Sequence, residues 1–112
     1  MAATDEGWIP VVGHAELSEG KAVRVEAFGI DVFVMRSGDA VYAIANRCTH
    51  QGAPLHRGIV RVLGSDPTVT CSAHGSTFSL VDGRVHRGPA AQPLAAFDTR
   101  VNGGTVELRP KG

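Results

Sequence analysis

Two glycine-bearing turns constrain the fold more than any other feature of the chain. Asp82-Gly83 separates Phe78-Ser79-Leu80-Val81 from Arg84-Val85-His86, and Asn102-Gly103-Gly104 separates Phe97–Val101 from Thr105–Leu108. Asp-Gly and Asn-Gly favour the positive φ angles of tight hairpins, so the flanking segments are set to pair antiparallel. Upstream, Val23, Val25 and Ala27 alternate with Arg24 and Glu26, and Ile30, Val32 and Val34 alternate with Asp31, Phe33 and Met35 across a bend at Gly29. That period of two is the strand signal. Ser37-Gly38-Asp39 then turns the chain into a third strand, Val41–Ala45, which delivers it to Asn46, Arg47 and Cys48. His14–Glu19 alone suits a helical turn, and no window sustains a 3.6-residue period with caps. The pattern predicts an all-β fold of antiparallel sheets. Gly88–Pro93 reads as an extended surface segment linking two strands.

A length of 112 residues suits one domain, 1–112, with one core. Eleven basic and eleven acidic side chains cancel, so the chain lacks the electrostatic footprint of a nucleic-acid binder. No apolar run approaches the roughly 20 residues of a membrane helix, and Met1–Trp8 has no basic stretch followed by an apolar one. The expectation is a cytoplasmic protein with neither membrane nor nucleic-acid partners. A nucleophile beside a base, paired carboxylates and a phosphate-cradling glycine loop followed by Lys are all missing, so independent enzymatic activity is not expected.

The chemistry concentrates in two short stretches. Cys48-Thr49-His50 and Cys71-Ser72-Ala73-His74 present two thiols and two imidazoles, separated by the 20 residues from Gln51 to Thr70. Cysteines that stand beside histidines at short spacing favour metal binding over a disulfide. Zinc would suit four such ligands as a structural staple. Common zinc sites, however, pair Cys with Cys and His with His, whereas here each loop supplies one of each. Mixed pairs suit a centre with two unlike irons, and on ligand type alone both metals remain open.

The wider text resembles the Rieske ferredoxin family. The matching segments are Glu19-Gly20-Lys21, Val41–Ile44, Asn46-Arg47-Cys48-Thr49-His50-Gln51-Gly52-Ala53-Pro54-Leu55, Cys71-Ser72-Ala73-His74-Gly75-Ser76-Thr77-Phe78, Gly83-Arg84-Val85 and Gly88-Pro89-Ala90. The resemblance implies the Rieske fold, with a small cluster-binding subdomain at about 46–80. It implies one 2Fe-2S cluster, with Cys48 and Cys71 on an inner iron and His50 and His74 on an outer one. It also implies a second layer in which Gly52 and Gly75 let backbone N–H groups approach the cluster sulfurs, Pro54 stiffens the first loop, and the Ser76 hydroxyl hydrogen-bonds to a sulfide. Exchanging two thiolates for neutral imidazoles makes the added electron less costly and raises the potential.

Departures from the family refine the expectation. High-potential respiratory members carry an extra cysteine in each loop; here Ala53 and Ala73 stand there, which fits a reducing compartment and the oxygenase-type ferredoxins. Phe78 replaces a second donor, a Tyr. A low to intermediate potential follows, near the lower end of the roughly −150 to +300 mV Rieske range. Ala73 and Ser79 replace a bulky residue and an Asp, respectively, which thins the cover of the second loop. The functional expectation is a soluble one-electron carrier, taking electrons from a flavin-dependent ferredoxin reductase and delivering them to a terminal oxygenase. The alternatives are a Rieske-like small subunit of a larger oxidoreductase, such as assimilatory nitrite reductase, and a zinc-stapled interaction module.

The other candidates have plainer readings. His14, His56 and His86 stand alone and are assigned no role. Trp8 and Tyr42 are expected to pack in the core. Arg47, His56, Arg57, Arg84 and Arg87 flank the two loops and offer either a basic docking patch or a solvated face.

Overall fold

In a computed structural model of the chain, residues 7–50, 52–62 and 66–111 are described. Ten strands run among them: β1 (Ile9–Gly13), β2 (Ala22–Ala27), β3 (Ile30–Ser37), β4 (Ala40–Ala45), β5 (Ile59–Arg61), β6 (Thr68–Thr70), β7 (Thr77–Ser79), β8 (Val85–Arg87), β9 (Ala96–Asn102) and β10 (Thr105–Pro110). They form two sheets, one in the order β1-β10-β9-β4-β3-β2 and the other β5-β6-β7-β8, with every ladder antiparallel. The all-β expectation is met. Two single 3-10 turns complete the fold, His14–Glu16 where a helical turn was expected and Leu55–Arg57 where none was.

Local sequence explains the large sheet. Ala27 pairs with Ile30 around a two-residue turn, Phe28-Gly29, in which both residues have positive φ (55° and 78°). That twist matches the twist of the flanking strands. A bulky residue rarely adopts such a φ; the Phe28 ring stacks on Phe97 with centroids 5.5 Å apart. Asn102 pairs with Thr105 around Gly103-Gly104, again both at positive φ, which closes the predicted β9–β10 hairpin.

In the centre of the sheet, β3 is buried on both faces. Val32 and Val34 pack with Leu17, Ala27, Ala43, Phe97, Val106 and Leu108, while Phe33 and Met35 pack on the opposite face with Ile44, Leu55, Val69, Phe78 and Leu80. Residues of both outer strands, β1 and β2, lie against the first cluster, so the large sheet curls around it. The second cluster is sealed by the small sheet, and it also contains Cys48 and Cys71.

The turn at Asp82-Gly83 differs from expectation. Strand β7 stops at Ser79, and a five-residue connection, Leu80–Arg84, leads to β8. Leu80 is buried and its N–H donates to the Pro67 carbonyl, while the Gly83 carbonyl accepts the Leu94 N–H, so tertiary contacts rather than a two-residue turn shape this bend.

Candidate functional site

The site sits where the two sheets meet. Strand β4 ends at Ala45 and releases the first loop, Asn46–Pro54; β6 ends at Thr70 and releases the second, Cys71–Ser76. Both loops close in the same way. The Gly52 N–H donates to the Cys48 carbonyl (2.7 Å) and the Cys48 N–H to the Ala53 carbonyl (2.8 Å); the Gly75 N–H donates to the Cys71 carbonyl (3.1 Å) and the Cys71 N–H to the Ser76 carbonyl (2.7 Å). In each loop the residue four after the cysteine turns the chain at φ near +80°, which is why it is glycine. The N–H groups of Gly52 and Gly75 are themselves taken up by the cysteine carbonyls. Gln51, between His50 and Gly52, lies outside the described residues.

The loops sort their side chains by polarity. Cys48 and Cys71 are free thiols, each only 3% exposed, and both belong to the same apolar cluster. His50 and His74 are exposed, with ring centroids 5.1 Å apart and one edge directed at the other's face. Among the described residues no three His, Cys, Asp or Glu side chains converge on one point to hold a single ion. A two-iron cluster asks for only two protein ligands on each iron, one pair buried and one pair outward.

Two further groups of contacts hold the loops in place. Asn46, fully buried, donates through Nδ2 to Asp31 Oδ2 (3.0 Å) and to His56 Nδ1 (2.8 Å), and its Oδ1 accepts the His56 N–H (2.7 Å). The acceptor at Asp31 fixes which way the amide points, with Nδ2 toward Asp31 and the His56 ring and Oδ1 toward the His56 backbone. Asp31 is also paired with Arg24 at 3.0 Å. Burial works against the Asp31 charge, yet the hydrogen bonds from Asn46 and Arg24 outweigh it and hold the carboxyl below its usual range. His56, assigned no role from sequence, is thus a strut under the first loop.

The Gly88–Pro93 segment also departs from expectation. It does not simply run across the surface: Ala90 is buried, its N–H donates to Ser76 Oγ (3.0 Å), and the Gln92 carbonyl accepts from Thr49 Oγ1 (2.6 Å). It is a third loop, tied to both of the others. Ser76 is fully buried, and with Oγ accepting from Ala90 its own proton has no acceptor among the described residues. A hydroxyl donates one bond while accepting others, so one donor remains for a group between the loops.

Residues 7–98 match the model of the Rieske [2Fe-2S] domain. The chain belongs to the Rieske [2Fe-2S] family. Its cofactor is accordingly a single 2Fe-2S cluster, and the buried thiols, paired imidazoles and spare Ser76 proton have the donor chemistry such a cluster needs. The 3-phenylpropionate/cinnamic acid dioxygenase ferredoxin subunit of Escherichia coli (strain K12) is 33% identical over 92 residues, spanning 82% of this chain and 83% of that protein. Among solved structures, the ferredoxin of carbazole 1,9a-dioxygenase from Nocardioides aromaticivorans IC177 is 30% identical (TM-score 0.84), covering 93% of this chain and 98% of that one. A ferredoxin-sized chain from a complex of reduced oxygenase and oxidized ferredoxin in carbazole 1,9a-dioxygenase is 31% identical (TM-score 0.77), covering 92% and 93%. A Mycobacterium tuberculosis structure assigned as an NADH-dependent nitrite reductase small subunit is 26% identical (TM-score 0.81), covering 94% and 95%. This Rieske chain has no helix among its described residues long and apolar enough to cross a membrane.

Other sequence candidates fall outside the site. Trp8 is not a core residue: the guanidinium groups of Arg100 and Arg109 lie over its half-buried ring, 4.4 and 4.5 Å from its centroid. Tyr42 packs at the edge of the cysteine-containing cluster. His86 Nε2 and Arg84 both reach Asp66, at 2.7 and 2.6 Å, and Arg84 also pairs with Asp82, so Arg84 is not a free positive charge.

Proposed function

We propose that this chain is a one-electron carrier in which Cys48 and Cys71 hold the inner iron and His50 and His74 the outer iron of the 2Fe-2S cluster. The observation that carries this reading is the sorting of the four side chains: thiols 3% exposed inside an apolar cluster, imidazoles at the surface in edge contact. When bound, the cluster accepts and returns one electron at a time. Around it, the apolar packing of Leu55, Phe78, Leu80 and Leu94 excludes water from the thiolate side. The imidazoles shorten the path to a docked protein, and Ser76 supplies a hydrogen bond to sulfur. The loops, spanning about 46–80, form the cluster-binding part of a single domain of residues 1–112, and the third loop braces them.

The carrier serves a multicomponent oxygenase, receiving electrons from a flavin-dependent reductase and passing them to a terminal oxygenase. Support comes from the names of the relatives, ferredoxins of dioxygenases, matched over 82–93% of this chain and 83–98% of theirs. A cytoplasmic setting suits two free cysteines and the absence of a loop-to-loop disulfide at Ala53 and Ala73. The nitrite reductase likeness favours a second reading, a permanent small subunit. Family membership displaces the zinc-stapled module.

The test is an anaerobic redox titration followed by mixing with a dioxygenase terminal oxygenase that has been freed of its own ferredoxin. The carrier reading expects reversible uptake of one electron per chain and its transfer to the oxygenase, with no substrate turnover by the chain alone. A cluster that dithionite cannot reduce contradicts it, and a stable stoichiometric complex with a large reductase subunit moves the assignment to the second reading.

A further inference from the structure

The charges of this chain balance in number but not in place. Arg24 pairs with Asp31, Arg36 with Glu19, Arg84 with Asp66 and Asp82, Arg100 with Glu107, and both Arg109 and Lys111 with Asp98. Arg47, Arg57 and Arg87, like Lys21 and Arg61 elsewhere, have no ion-pair partner among the described residues. From residue 40 to residue 97 the sequence holds only two carboxylate side chains, Asp66 and Asp82, and Arg84 is bound to both.

Arg47 lies in the first loop of the site, Arg57 just beyond it, and Arg87 at the start of the third. Arg47 directly precedes Cys48, bridges Pro54, and extends beside Gly52, where an added Cβ would lie 3.4 Å from its Nη1. Arg57 ends the 3-10 turn that follows the first loop. Arg87 lies opposite Thr77 in the β7–β8 ladder, where the third loop begins. All three are exposed, as are the His50 and His74 rings. Beside Arg47, Ile30 lines the same shallow depression and is 40% exposed, adding an apolar step; Asp31, the one carboxylate there, is taken up by Arg24. An apolar centre with a charged rim is the anatomy of a transient protein interface, and one sign of charge steers encounter with the opposite sign.

We propose that Arg47, Arg57 and Arg87 form a cationic rim around the imidazole edges, and that it docks a redox partner whose electron-exchange site is ringed by carboxylates. The proposal rests on the electron-carrier reading and adds the chemistry of the partner surface. Arg84 and His56, which sequence placed in the same patch, are not part of it: one is neutralised by two carboxylates and the other is held under the first loop by Asn46.

The test is stopped-flow oxidation of the dithionite-reduced protein by two small reagents of opposite charge, ferricyanide and tris(phenanthroline)cobalt(III), as ionic strength is raised. Each takes one electron from the reduced protein, and no proton or bond is exchanged. The rim predicts that ferricyanide oxidation slows with salt while the cobalt reagent speeds up. At low salt, Arg57→Gln with Arg87→Gln slows ferricyanide several-fold. Val101→Asp with Asn102→Asp makes the same change in net charge at the far end of β9, since Ala96 rather than Asn102 lies beside β4 and the site, and leaves the rate within twofold. Poly-glutamate suppresses the ferricyanide reaction by occupying the rim as an acidic protein would. A flat or reversed salt dependence, an equal effect of the distant pair, or suppression by polyphosphate but not by poly-glutamate overturns the proposal. The visible spectrum of each variant keeps the two readings apart: an intact cluster with charge-blind kinetics defeats the rim alone, whereas a missing cluster defeats the carrier reading beneath it.

Discussion

Ser76 joins the second loop to the third, because its buried oxygen accepts the Ala90 N–H, and its own proton has no acceptor among the described residues. Ser76→Ala should lower the midpoint potential, as measured by protein-film voltammetry, since hydrogen bonds to sulfur favour the reduced state. It should also cost about 1–3 kcal/mol of stability by leaving the Ala90 N–H buried without a partner. An unchanged midpoint would show that the hydroxyl does not reach sulfur. Asn46→Leu removes three hydrogen bonds beneath the first loop and strands the His56 N–H. A loss of about 1–3 kcal/mol in denaturant unfolding is expected, accompanied by faster loss of iron. At this scale the sequence was legible where chemistry is carried by residue type: thiols and imidazoles at short spacing announce themselves. The partners of Ser76 and Asn46 were not, because Ala90 and Asp31 are brought to them only by the folded chain.

Among the elements, strands with a sustained period of two were readable, and so were the turns whose glycines take positive φ. Strands β5 and β6 carry no readable signal, since three residues each, Ile59–Arg61 and Thr68–Thr70, are too short to show a period. Asp82-Gly83 carries the local signal of a two-residue turn, while the burial of Leu80 and the bond from Leu94 to Gly83 decide the geometry of the bend after β7. Gly83 shows the difference. Its φ is +80°, and a Cβ there would run into the Leu94 carbonyl, whereas Gly38, at φ +60°, has open space around it. Gly38→Ala should cost about 1–2 kcal/mol, the left-handed backbone penalty for an L-residue. Gly83→Ala should cost clearly more, because the backbone at Leu94, just past the third loop, has to move as well; equal melting temperatures for the two variants would refute this packing of chain on turn.

For the molecule as a whole, acid should act through four carboxyls held below their ordinary value of 3.8. Asp66 is held there first by the Ser79 hydroxyl, Asp82 by the Arg84 N–H, and Asp98 by Lys111 and then Arg109; at Asp31, burial is outweighed by Asn46 and Arg24. With folded values depressed, the unfolded chain takes up protons first as pH falls, so this stability is complete above the ordinary value and is lost progressively below it. Melting curves should therefore be flat in this contribution near neutrality and drop as pH passes below about 4. A net charge of zero gave no hint of the unpaired cations around the site, since a sum cannot show where charges lie. The central claim is that two cysteines and two histidines share one two-iron cluster, and electron paramagnetic resonance of the anaerobically purified, dithionite-reduced protein tests it most directly. A rhombic signal of low average g value, lost in His50→Ala, is the predicted result; a colourless protein that contains zinc and gives no signal would contradict the account.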